Sequence, residues 1–359
     1  MDNGQTGFVL TALAVGAVVG MPLAGWLIVR NGSRRITLWA AVAFILVVPF
    51  MALVPSYGWL FLVMPLAGMS TGSLDVAMNA QAVSVEDGWG SPITSSFHAA
   101  FSLGMFLGAG YAALNVWLGL DVDVHLLGVS ALMLLTVYGC RNDLIVDGPA
   151  ADEAAGGGGR GLQLGHGILL LGLAALCCMI GEGAMADWTP LYMTRVAGSP
   201  ESLAPLGQAA FSGAMVVSRT VGDWVRGRLG SGPVIRGGAL LALGGLALAV
   251  LLPYPWLAIL GFGLVGLGLG NVVPIVFSTA GRVPGLAPGV GISSVSTVGY
   301  AGFLVGPPVI GFVADWQNET GAVPGAEGLR VGLGVVLLLF VILLGLGIRI
   351  GATSSGPAR

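Results

Sequence analysis

Long apolar runs separated by short polar or glycine-rich breaks organise this chain from end to end. They cover residues 7–28, 36–54, 58–84, 93–118, 124–140, 164–194, 203–225, 233–253, 255–279, 286–313 and 329–349. Roughly 20 apolar residues cross a bilayer as a helix, because about 30 Å of hydrocarbon is spanned at about 1.5 Å per residue. Hydrocarbon offers the backbone no hydrogen-bond partner, so a helix must satisfy its own N–H and C=O groups. The pattern therefore predicts an all-α integral membrane protein of about eleven transmembrane helices. The longest runs must tilt or extend beyond the membrane.

One break differs from the rest. Residues 141–163 begin Arg141-Asn142-Asp143, continue acidic and alanine-rich, and end in Gly156-Gly157-Gly158-Gly159-Arg160. This is the composition of a flexible linker. It predicts an N-terminal bundle at 1–140, a C-terminal six-helix bundle at 164–351 and a tail at 352–359. The halves echo each other. Gly68-Met69-Ser70-Thr71-Gly72 in one corresponds to Gly266-Leu267-Gly268-Leu269-Gly270-Asn271 in the other, and a serine/glycine-rich helix follows each. Two parallel repeats with a site at their interface are one way transporters are built.

Composition sharpens the picture. The chain is 55% hydrophobic and 9% charged, with mean hydropathy +0.91, whereas a soluble domain is about a quarter charged. Its 61 glycines suit helices whose backbones approach closely in lipid. Apart from three histidines, every basic residue is arginine. Arg30, Arg34, Arg35, Arg141, Arg160, Arg226, Arg228, Arg236, Arg282, Arg349 and Arg359 fall on one side by alternation; only Arg195 and Arg330 fall on the other. The positive-inside rule then makes 141–163 and the C-terminus cytoplasmic, in a multi-pass protein of the cell (inner or plasma) membrane. Cys140, Cys177 and Cys178 lie in or at the end of runs and imply no disulfide framework. Met1-Asp2-Asn3-Gly4 has no positive region of the kind a cleaved signal peptide carries. No basic cluster suits nucleic acid. No Walker loop, metal cluster or nucleophile triad is present, so ATP-driven transport, enzymology and cofactors have no support.

Gly25-Trp26-Leu27-Ile28-Val29-Arg30-Asn31-Gly32-Ser33-Arg34-Arg35 resembles the loop after the second helix of major facilitator superfamily transporters. Gly25, Leu27, Arg30, Gly32, Arg34 and Arg35 match. Val29 stands where that family has an aspartate that helps lock the cytoplasmic gate. Arg219-Thr220-Val221-Gly222-Asp223 to Gly230 looks like a degenerate counterpart. Within the superfamily, Asp75 with Met78-Asn79-Ala80-Gln81-Ala82-Val83, Ser95-Ser96-Phe97-His98 and Gly181-Glu182-Gly183-Ala184-Met185-Ala186-Asp187-Trp188 resemble fucose-permease-like proteins and uncharacterised bacterial inner-membrane relatives. The resemblance implies two helical bundles. It also makes the 7–28 run the family's second helix, so that the first is expected to be missing. Arg30, Arg34, Arg35, Arg219 and Asp223 fall at gating positions.

Candidate chemistry follows from charge in lipid. A lone charge at the bilayer centre costs at least ~2.5–3.5 kcal/mol, so Asp75 must face a cavity, find a partner or be protonated. Asn79 lies one turn on, on the same face. In the fucose-permease-like pattern this acidic position looks like the proton-coupling one; the alternative is an Asp satisfied by Thr71 or Asn79 in packing. His98 suits a proton relay, or a hydrogen bond between helices. Glu182, Asp187, Asn79 and Asn271 are candidate solute contacts, and Gln81 is a further polar group. Trp188 suits an interfacial anchor. Arg219 and Asp223, one turn apart, suit an ion pair. Gly302 to Gly311 looks like an antiporter motif in the wrong half, and bending with close packing accounts for it better. The reading is a monomeric secondary transporter of a small polar solute, a sugar or related metabolite, driven by protons and embedded in the lipid bilayer. Proton-antiport export of drugs or metabolites is a second reading. A non-transporting sensor or truncated remnant is a third.

Overall fold

The computed structural model describes residues 3–54, 56–147, 165–323 and 327–353. Among them are twelve α-helices: α1 (Asn3–Asn31), α2 (Ser33–Leu53), α3 (Tyr57–Trp89), α4 (Thr94–Trp117), α5 (Val122–Cys140), α6 (His166–Arg195), α7 (Ala204–Leu229), α8 (Ser231–Leu251), α9 (Pro255–Leu269), α10 (Val272–Ala280), α11 (Pro288–Thr320) and α12 (Gly328–Thr353). Nine spans among the described residues are long and apolar enough to cross a membrane, Pro255–Ala280 counting as one. The runs at 93–118 and 203–225 form α4 and α7 but are not among those nine. In α7, Ser218, Arg219, Thr220 and Asp223 interrupt the apolar pattern. Gly156–Gly159 lies outside the described residues.

The run at 255–279 is not one helix. It breaks at Gly270-Asn271 into α9 and α10. Pro274 gives the reason. Proline has no N–H, so the carbonyl four residues earlier, on Gly270, loses its intrahelical donor.

By packing, the chain divides into two compact units. One comprises Met1–Gly90, Ala100–Ile168 and Phe277–Thr297; the other comprises Ser91–Ala99, Leu169–Val276 and Val298–Arg359. Each unit thus takes a short piece from the opposite side of the 141–163 segment.

In the first unit α1 and α3 pack through glycines on both helices. A Cβ on Gly16 would meet the Pro65 carbonyl oxygen at 2.2 Å, and one on Gly20 the Met69 oxygen at 2.4 Å. A Cβ on Gly68 or Gly72 would meet the Leu13 or Ala17 oxygen at 1.9 or 2.5 Å. Only backbone fits there, the Gly-x-x-x-Gly arrangement of lipid-embedded helices. α5 is the opposite case. Only 6% of its span is buried, and Leu127, Leu132 and Leu135 stand outward on a surface suited to lipid.

The second unit repeats the device. A Cβ on Gly238 would meet the Gly268 carbonyl oxygen at 2.2 Å and one on Gly245 that of Gly261 at 2.5 Å, and both approaches are reciprocal. Gly299, Gly302 and Gly306 on α11 lie against Ala175, Leu176, Met179 and Ile180 of α6. Close packing is thus what the Gly302–Gly311 stretch does here.

Two turns also repeat. Trp26, Arg30, Gly32 and Ser33 recur as Trp224, Arg228, Gly230 and Ser231. Each arginine stacks on its tryptophan at 4.1 Å. Gly32 and Gly230 have φ of 80° and 81°, a left-handed region that favours glycine. In this register Asp223 stands where the first turn has Gly25.

Candidate functional site

The break between α9 and α10 organises a buried polar knot in the second unit. Carbonyl oxygens at the end of α9 are taken by side chains from two neighbouring helices. Ser218 Oγ donates to Leu267 O at 2.7 Å, and Arg219 Nε donates to the released Gly270 O at 3.2 Å. Cys178 Sγ lies 3.8 Å from Leu269 O. Asn271 Nδ2 donates to Ser218 O and Oγ at 2.8 and 2.9 Å. A Cβ on Gly222 would meet Asn271 Oδ1 at 1.7 Å, so the bare glycine lets the amide in.

Arg219 reaches from this knot toward α6. Its Nη2 is 3.8 Å from Glu182 Oε1, and the two side chains are 10% and 17% exposed. Cys178 Sγ lies 3.5 Å from the same carboxylate oxygen. His98, in the second turn of α4, is within electrostatic reach of Arg219. Glu182 sits 16 residues into α6 and Arg219 15 residues into α7, so each lies more than about 20 Å along its helix from the N-terminus. Each is also at least ten residues from the C-terminal end of its helix.

The ion pair expected between Arg219 and Asp223 does not form. Asp223 turns to the first turn of α4. Ser95 N donates to its Oδ1 at 2.9 Å, and Ser96 N and Oγ donate to its Oδ2 at 2.7 and 2.6 Å. The first N–H groups of a helix have no intrahelical acceptor and carry partial positive charge, so a carboxylate there is well placed. Reach decides against the pair: Arg219 follows the α9 break while Asp223, four residues on, faces α4.

The first unit uses a carboxylate the same way. Asp147 accepts from Ser33 N at 2.7 Å and Arg34 N at 3.1 Å at the start of α2. Gln81 Nε2 donates to Ser33 Oγ and Ile145 O at 2.6 and 3.0 Å, and its Oε1 accepts from Ile145 N at 2.9 Å. Arg34 Nη2 donates to Arg141 O at 2.9 Å. Thus the segment 141–147 is pinned to the turn after α1, and the anion beside that turn comes from Asp147, where the family pattern would place it at Val29. Arg30 rests on Trp26, and Arg35 is exposed. Gly25 and Ile28 pack directly on Gly289 and Ser293 at the start of α11.

Asp75 and Asn79 meet on α3. Asn79 Nδ2 donates to Asp75 O at 2.8 Å and to Asp75 Oδ1 at 3.3 Å, and Asn79 is buried. At the end of the same helix, Arg282 lies 2.9 Å from Glu86 Oε1 and 2.6 Å from Asp87 Oδ1. Ser278 Oγ donates to Glu86 at 2.7 Å. Glu86 is 5% exposed, so this is a buried charge, and Arg282 and Ser278 both hold it.

Of the residues singled out from sequence, Glu182, Arg219 and Asn271 converge in the knot, and Asp75 with Asn79 form a separate pair. Asp187 is exposed, and Trp188 lies half-buried against Gly311 of α11. Asp147, Glu86 and Asp87 were not singled out. Their local signal is weak, since acidic residues near helix ends are ordinary. Arg282 entered only as a topology marker.

The Major Facilitator Superfamily model matches residues 1–307. The chain is 32% identical over 347 residues to an uncharacterised MFS-type transporter of Yersinia pestis, covering 95% of this chain and 85% of that protein. It is 35% identical over 310 residues to an uncharacterised transporter of Sinorhizobium fredii, covering 86% and 81%. The crystal structure of the E. coli fucose:proton symporter FucP superposes with a TM-score of 0.75 over 97% of this chain and 91% of that one, at 14% identity. At that identity the likeness is one of fold.

Proposed function

This chain belongs to the Major Facilitator Superfamily and is a multi-pass membrane transporter of that fold, and we propose that it couples movement of a small polar solute, a sugar or related metabolite, to protons by alternating access. The observation that carries the coupling is Asp75. It lies inside the α3 span, where an uncompensated charge is costly, and Asn79 donates to it from one turn away. A carboxyl in that setting can exchange a proton and change the energetics of the helix around it. FucP, similar in fold, is a proton symporter for fucose, which supports the same class of work here.

Charged contacts join residues from before the 141–163 segment with residues after it at two places: Asp223 on the first turn of α4, and Arg282 on Glu86 and Asp87. These act as latches on the cytoplasmic side. They must break and re-form as the two repeats rock about the solute. Arg30, Arg34 and Arg35 mark that side by charge, and Arg34 anchors the segment that follows α5. The protein works as a monomer in the inner membrane, with its C-terminus in the cytoplasm.

Asp75→Asn tests the coupling. It keeps shape and hydrogen bonding but cannot change charge. In proteoliposomes, accumulation driven by an imposed pH gradient should collapse, while equilibrium exchange survives in part. Accumulation at the wild-type level, with wild-type pH dependence, would return Asp75 to a packing role.

A further inference from the structure

The Glu182–Arg219 pair is built unlike the other charged contacts. The Arg330–Glu327 pair lies at the start of α12, whereas Glu182 and Arg219 each lie at least ten residues from either end of α6 and α7. It is also loose. At 3.8 Å the guanidinium and carboxylate attract, but they lie beyond the distance of a good N–H···O bond. Yet Arg219 itself is firmly placed, because its Nε donates to the Gly270 carbonyl that Pro274 leaves without an intrahelical donor. The fixed Nε turns the Nη side toward Glu182. A planar guanidinium has a fork geometry that matches a carboxylate, and here Nη2 is the atom turned to one. Both side chains keep some accessible surface, at 10% and 17%.

Charge arithmetic limits what can enter. The pair as it stands is neutral, and a neutral solute gains nothing by separating it. If Glu182 takes a proton, the site as a whole gains one positive charge in a low-dielectric interior, where added charge is expensive. An anion arriving with that proton restores neutrality.

We propose that Glu182 and Arg219 form the binding site for a solute carrying one carboxylate, such as a hydroxy acid or sugar acid, taken up together with a proton. The proton adds to a Glu182 carboxylate oxygen, the carboxylate leaves Arg219, and the solute's carboxylate takes its place on Nη. No net charge enters the site. This rests on the proton-coupled reading above and names its solute class, while assigning Glu182 a different task from Asp75: balancing the charge of the bound solute. Among the described residues, the ionisable groups around Glu182 include Arg219 from α7 and Cys178 on α6 itself, with His98 from α4 in electrostatic reach of Arg219. Asp223 on α7 is engaged with Ser95 and Ser96. Against Gly181 and Gly183, which flank Glu182 in α6, α9, α11 and α12 bring the apolar groups Leu269, Phe303 and Phe340.

The test uses purified full chain with gluconate, glucuronate and lactate as probes, and glucose as the uncharged control. Binding is followed by thermal shift between about pH 5 and 8, where the probes' carboxylates stay ionised. Wild type should bind at least one carboxylate more tightly as pH falls. Glu182→Gln, permanently neutral, should bind it with little pH dependence and at least as tightly at the high end. Arg219→Gln in the Glu182→Gln background removes both charges, so it should fold, and it should lose carboxylate affinity by about tenfold or more. Asp75→Asn should keep the pH dependence of binding while losing gradient-driven accumulation. If Glu182→Gln retains the wild-type pH profile, or no carboxylate in the series binds, the inference is overturned and the Asp75 result stands independently. If Asp75→Asn still accumulates solute but Glu182→Gln has lost the pH dependence, the coupling assignment fails and this site survives.

Discussion

At Asp223 one carboxylate supplies what the first turn of α4 cannot supply for itself, two acceptors for the amides of Ser95 and Ser96. Asp223→Ala leaves those amides without their acceptor and removes the charge that faces the helix end. A cap of this kind is worth roughly 0.5–2 kcal/mol, so thermal unfolding should shift down by that order. Because this contact joins the two sequence repeats, the variant should also change the rate of solute exchange. A drop in stability with unaltered exchange kinetics would make Asp223 a structural cap only. The equivalent position in the first turn is Gly25, and there backbone meets α11 directly. Arg219 shows the limit of local reasoning at this scale. Helical spacing alone pairs it with Asp223, but its donors go to Gly270 and its charge to Glu182.

Elements are held together here by what they lack. Gly68 on α3 brings its backbone so near the Leu13 carbonyl that a Cβ would sit 1.9 Å away. Gly68→Ala must push α1 and α3 apart, at an expected cost of about 1–3 kcal/mol by overpacking. Gly104 on α4 has no neighbour within 4 Å of its Cβ position, so Gly104→Ala is the matched control and should be tolerated. Equal melting temperatures for the two variants would refute this account of the α1–α3 contact. The repeated glycines in both helices are readable in sequence as close-packing positions. Which helix each one meets is not. The α9–α10 break lies between these cases. Pro274 and the glycines before it carry the signal, but a continuous apolar run masks it, because proline within a membrane helix is compatible with either a kink or a break.

For the molecule as a whole, the orientation proposed from the arginine distribution is directly testable. A single cysteine placed within Gly156–Gly159, in a Cys140→Ser background because Cys140 is exposed, should resist a membrane-impermeant thiol reagent in intact cells. It should react once the membrane is permeabilised. Labelling in intact cells would reverse the proposed topology and move both latches to the other face. The helical membrane architecture, the superfamily and the two repeated turns around Gly32 and Gly230 were all legible before any coordinates, because each depends on local composition or a short motif. The candidate site was only half legible. Glu182, Arg219 and Asn271 stood out as polar groups in apolar runs, since lipid makes any such group conspicuous. Asp147 and Glu86 did not stand out, because they lie near the ends of spans, where acidic residues are common.

The sequence by itself determined that this chain crosses a membrane many times as helices. Solvation energy over about 20 residues at a time settles that without reference to any partner. It likewise determined where turns must bend and which polar groups need an explanation. Only the tertiary structure decided the pairings: Asp223 with α4, Asp147 with α2, Arg282 with Glu86 and Asp87, and Glu182 with Arg219. In water, a helix advertises its packed face by being apolar on that side alone. In lipid both faces are apolar, so the pattern that announces each helix is silent about its neighbour.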